Sequence, residues 1–112
     1  MKRTRNQARI FVDRVAELSF DCAFNPYSDR CADHDGADAP AIRRSNLTLV
    51  LEAAMTQRVD SFWIARDLGY RGGRRTGLAL TDEIHLTAHA SLFGTLPLAR
   101  ATTGPRASDL NR

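Results

Sequence analysis

Lysine is almost missing from this chain. Lys2 is the only one, and every other basic residue is an arginine. Cysteine is nearly as scarce, with only Cys22 and Cys31. Those two thiols, with His34 as the only close histidine, fall short of the four ligands of a structural zinc site. Free thiols in a reducing compartment are the plain reading. No apolar run approaches the ~20 residues of a membrane-spanning helix. The start, Met1 to Arg9, leads into Ile10-Phe11-Val12 and then charge, not into the apolar core of a signal peptide. These absences lead to the expectation of a cytoplasmic protein with no membrane partner, no metal and no cofactor.

What is present fits one small domain: 112 residues, 43% apolar and 26% charged, the balance of an ordinary globular chain. The formal charge of +3 does not by itself announce a nucleic-acid binder. Arginine in place of lysine suits bidentate phosphate contacts, and a GC-rich genome produces the same bias.

Residues 5–19, within an N-terminal helical region 1–20, read as an amphipathic helix with Ile10, Phe11, Val15 and Leu18 on one face. Phe20 to Arg30 has no helical period and contains a turn-forming Asn25-Pro26. Asp29, Asp33, Asp35 and Asp38 gather around Gly36, but without the spacing or closing Glu of a calcium loop. Residues 39–57 hold the strongest helix, Ala39 to Thr56, with Asp38 as N-cap and Pro40 in its first turn. Its expected buried stripe is Ile42, Leu47, Val50, Leu51 and Ala54, with Arg43 and Arg44 outside. A later helix starts near Thr81 as N-cap and uses Ile84, Leu86, Ala88 and Leu92. His85 and His89 share a face of it at i, i+4, without the Glu that a His-Glu-x-x-His metal site needs.

Between these helices lies the most informative stretch, residues 61–83. Phe62 to Ala65 has the length and the aromatic and β-branched character of a buried strand. It runs into a loop holding Gly69, Gly72, Gly73 and Gly77 among Arg66, Arg71, Arg74 and Arg75. Strands that end in such loops are where α/β folds place ligand chemistry. Glycines admit close backbone approach, and guanidinium groups match phosphate geometry.

Ala65-Arg66-Asp67-Leu68-Gly69-Tyr70, continued by Arg71-Gly72, resembles motif 1 of the uracil-DNA glycosylase superfamily, especially its bacterial members. Gly77-Leu78-Ala79-Leu80-Thr81 resembles the downstream stretch of the same motif. The departures are Ala65 for the first Gly, Leu68 for Pro, Arg66 at a position often Glu or Gln, and Leu80 where a base-stacking Phe is usual. An Asn-Pro-Tyr segment, an acidic spacer and a long helix precede motif 1 in the similar proteins, as here. The stretch from Leu96 to Pro105 resembles their next segment, a loop near the DNA-binding face.

The resemblance implies an α/β fold: a partial three-layer αβα arrangement, with helices packed on one or two parallel strands. It implies DNA as partner, uracil-containing or otherwise damaged, and base excision as the reaction: a DNA-repair hydrolase cleaving the N-glycosidic bond of a flipped base. Asp67 would position or activate the water. Ala65, Arg66, Leu68, Gly69, Tyr70 and Leu80 would line the base, and Arg71, Arg74 and Arg75 would hold phosphates. Some members carry an iron–sulfur cluster on four cysteines, which two cannot hold. Residues 1–112 cover the N-terminal portion of such a domain and lack its second motif. The resulting expectation is a truncated chain, or one completed by a second chain. A non-catalytic nucleic-acid-binding module or an inactive fragment is the alternative.

Overall fold

A computed structural model describes residues 2–64, 68–70, 72–94 and 98–103 of the chain. Its first helix, α1 (Lys2–Ala16), packs against the second, α2 (Ala39–Met55). Among its described side chains α1 buries Ala8 and Val12, one turn apart, with Val15 and Ala16 half-buried beyond them. Ile10, Phe11 and Leu18 are each about half exposed, so the buried stripe is rotated from the one the apolar residues mark out. The small side chains let α2 come close; the larger ones look outward. The Asn25 side-chain amide then donates to the carbonyls of Val15 (2.8 Å) and Leu18 (2.9 Å), closing the end of α1. Asn25 Oδ1 accepts from the Tyr27 N–H at 3.0 Å, the Asx turn expected of Asn-Pro.

Helix α2 starts at Ala39, with Pro40 in the first turn. Asp38 makes no side-chain cap; only its carbonyl takes part, accepting from Ile42 N–H at 2.9 Å. The residues α2 buries are Ala39, Arg43 and Asn46. Ile42, Leu47, Val50, Leu51 and Ala54 are half-buried. Arg43, which the apolar pattern assigns to solvent, is instead fully buried.

The Gly/Arg loop contains a single helical turn, α3 (Gly73–Thr76), stopped by Gly77 at φ 80°. A 3-10 turn, Glu83–His85, leads into α4 (Leu86–Phe93), which Gly94 ends at φ 67°. Asp82, not Thr81, caps this entry, accepting from the His85 N–H at 3.1 Å. Residues 98–103 return beside the acidic loop, with Gly36 N–H bonded to Ala101 O (3.0 Å) and Thr103 N–H to His34 O (2.7 Å). The radius of gyration, 13.9 Å, is close to the ~13 Å of a folded chain of this length.

Among the described residues there is no sheet, only isolated antiparallel bridges at Phe20–Ala23 and Asp35–Thr102. Phe62, Trp63 and Ile64 form no strand and are 87%, 83% and 87% exposed. Their β-forming character is real, but a strand exists only with a neighbour to bond, and the described residues offer none.

Candidate nucleic-acid interface

The Gly/Arg loop is held from below by polar groups that the fold removes from water. Arg43 lies at the centre. Its Nη2 pairs with Asp35, both side chains fully buried. Its Nε donates to the Arg75 carbonyl at 3.0 Å and its Nη1 to the Pro26 carbonyl at 3.3 Å. One turn on, Asn46 donates to the carbonyls of Thr76 and Ala99, both at 2.9 Å, and accepts from the Ala99 N–H at 3.0 Å. Helix α2 thus grips α3 and the returning segment through side-chain hydrogen bonds.

The loop also closes on itself. The Thr76 hydroxyl, fully buried, donates to the Thr81 carbonyl at 2.9 Å and accepts from the Leu78 N–H at 3.0 Å. Tyr27 Oη donates to the Gly77 carbonyl at 2.5 Å. Gly77 is required twice over. Its φ is left-handed, and a Cβ there would stand 2.9 Å from Arg43 Cβ and 3.0 Å from the Arg43 carbonyl. Glu83, 7% exposed, collects Arg75 Nη1 (3.4 Å), Arg100 Nε (2.9 Å) and the Thr102 hydroxyl (2.5 Å). It ties the loop to the returning segment.

These surroundings set the ionisation of the groups involved. Burial alone would raise the Asp35 carboxyl. The hydrogen bonds from Arg43 and the Cys31 N–H, with the charges of Arg43 and Arg74, hold it below the usual range. Burial pushes the Tyr27 phenol up to about 12, against the opposing pull of Arg43. The Cys31 thiol is lowered by the backbone N–H groups of Asp33 and His34, assisted by Arg74. The His89 imidazole is lowered by burial. The His85 Nδ1 lies 2.5 Å from Asp82 Oδ1. Cys22 and Cys31 are free, and no group of His, Cys, Asp and Glu able to hold a metal forms among the described residues. No helix of the described residues is long and apolar enough to cross a membrane.

The candidate site residues divide accordingly. Asp67, Ala65, Arg66 and Arg71 lie outside the described residues. Leu68 and Tyr70 are 39% and 65% exposed, and Gly69 has open space where a side chain would project. Leu80 is 75% exposed at φ 58°, a backbone conformation unusual for leucine. Arg74 is half-buried, its guanidinium 3.9 Å above the Phe24 ring. Arg75 is 8% exposed and turned inward, its Nε on the Tyr70 carbonyl (3.2 Å) and its Nη1 on Glu83. The loop therefore has a fixed base, 72–78, and an open tip at 69–70.

Arg43, Asp35, Asn46, Thr76 and Glu83 build that base, and none stands out in the sequence as functional. The signal for two of them is Ala39-Arg43-Asn46, one helical face of α2. No protein-family model matches the chain, and neither a curated protein nor a solved structure does.

Proposed function

We propose that this chain is the base- and phosphate-facing part of a uracil-DNA glycosylase-like DNA repair protein. The observation that supports this is the open tip Gly69–Tyr70 followed at once by a base locked to helix α2. Backbone groups that must meet a flipped base without reorganising need that kind of rigid support. On this reading Asp67 orients the attacking water, and the backbone of Leu68 and Gly69 meets the base beside Ala65, Arg66, Tyr70 and Leu80. Arg71 and Arg74 contact phosphates, while Arg75 steadies the loop from inside. A three-layer αβα architecture, with its strands formed outside Phe62–Ile64, belongs to the same proposal.

Titrating the protein with uracil-containing single-stranded DNA tests the binding half. Affinity should fall with salt at a log–log slope of about −0.7 per phosphate contact. Salt-indifferent binding would contradict it. Uracil release should drop at least ~10²-fold in Asp67→Asn, and an unchanged rate would remove Asp67 from the chemistry.

The exposed, left-handed Leu80 at the place of a stacking Phe favours a second reading: a nucleic-acid-binding module without chemistry. It entails the same salt dependence and no uracil release.

A further inference from the structure

The only tryptophan of the chain stands in water. Trp63 and its neighbour Phe62 are the most exposed aromatic rings among the described residues, with Tyr70 following at 65%. Large apolar side chains left together on a surface mark a contact site. Charge indicates what the contact is. Over the whole chain there are 16 basic and 13 acidic residues. Between Arg58 and Arg75 there are five arginines (Arg58, Arg66, Arg71, Arg74, Arg75) against Asp60 and Asp67. Elsewhere the two signs balance at eleven each, so the entire excess of +3 accompanies the exposed rings.

Arg75 is committed to Glu83 and Arg74 lies on the Phe24 ring, which leaves Arg58 among the described arginines of this stretch. Arg58 is paired with Asp60 at 3.1 Å, but their side chains are 92% and 76% exposed. An ion pair so open to water is held weakly, and its guanidinium can exchange the carboxylate for a phosphate. Rings on which bases stack, next to guanidinium groups that follow a phosphate backbone, are the elements of sequence-tolerant single-strand binding. A purely apolar partner would use the rings and leave the excess charge without a counterpart.

We propose that Phe62 and Trp63 stack on unpaired bases of a single-stranded nucleic acid, with Arg58 contacting its phosphates. The inference rests on the nucleic-acid-binding reading common to both functions above. It excludes use of the same residues as a buried strand, because a ring inside a sheet cannot meet a base.

Trp63 reports its own contact. The protein is titrated with unlabelled oligothymidylate while tryptophan emission is read, and in parallel with an end-labelled copy read by anisotropy. Saturable quenching is expected over the range in which anisotropy rises. Phe62→Ala and Trp63→Ala should each weaken binding roughly tenfold, with melting temperatures unchanged because both rings are already in solvent. Anisotropy that rises while emission stays constant and both variants bind normally would overturn the stacking inference and leave the binding reading intact. No rise in anisotropy at low salt would overturn both. An emission maximum that shifts blue with protein concentration alone would also overturn the inference, in favour of pairing between copies through Phe62–Ile64.

Discussion

Around Arg43 the protein encloses a guanidinium, a carboxylate, an amide and a hydroxyl. Between Val59 and Ile64 it leaves Val59, Phe62, Trp63 and Ile64 in water, each more than half exposed. The usual assignment of groups to inside and outside is reversed in both places. Each reversal has its own cause. The buried polar groups are tolerated because the donors and acceptors named above meet one another, so little desolvation goes unanswered. Their bonds are directional, which allows them to fix a glycine-rich loop that has little apolar surface of its own to pack. Among the described residues the exposed apolar segment has no comparable partner. One region determines the shape of the loop, and the other is free to be used by something else.

The largest effect should come from breaking the buried pair. Arg43→Met leaves Asp35 enclosed without its cation and should cost about 3–5 kcal/mol in urea unfolding. That is a large share of the ~5–15 kcal/mol that holds a domain together. A cost under about 1 kcal/mol would mean the polar centre is not what organises the loop. Gly77→Ala comes next: a left-handed backbone plus a close approach to α2 should cost roughly 1–3 kcal/mol.

Acid should act on the same centre. The Asp35 carboxyl is depressed in the folded state, so its contribution is complete at neutral pH and is lost as pH falls below about 4. Stability measured between pH 7 and pH 3 should decline in the native protein and decline less in Arg43→Met, where the main source of the depression is gone and only the Cys31 N–H and Arg74 remain. The smallest effect belongs to the other region. Replacing Phe62 and Trp63 by serine should change stability by no more than about 0.5 kcal/mol. A larger loss would show that these rings pack.

Much of the scaffold could be read in the sequence. Pro40 placed the start of α2, and the described part of the Gly/Arg stretch is loop apart from the single turn α3. The interior could not be read in the same way. A periodicity search counts apolar residues, and the face that α2 buries is carried by Arg43 and Asn46. Their partners are distant: Asn46 meets Ala99 and Arg43 meets the Arg75 carbonyl. No local pattern encodes such pairs. The run Phe62–Ile64 shows the opposite limitation, since β-forming side chains state a preference that only a neighbouring strand can realise. Leu68, Gly69 and Tyr70 are described, while Asp67, on which the proposed chemistry rests, lies outside the described residues.

Native-state hydrogen exchange reads both regions in one experiment. The amides of Arg75, Thr76 and Gly77 are bonded within the loop base, to the carbonyls of Gly72, Gly72 and Gly73. They should exchange only at the rate set by unfolding of the whole protein. Those of Phe62, Trp63 and Ile64 should exchange nearly as fast as in a free peptide. Equal, rapid exchange in both stretches would contradict the claim that a buried polar centre fixes the loop.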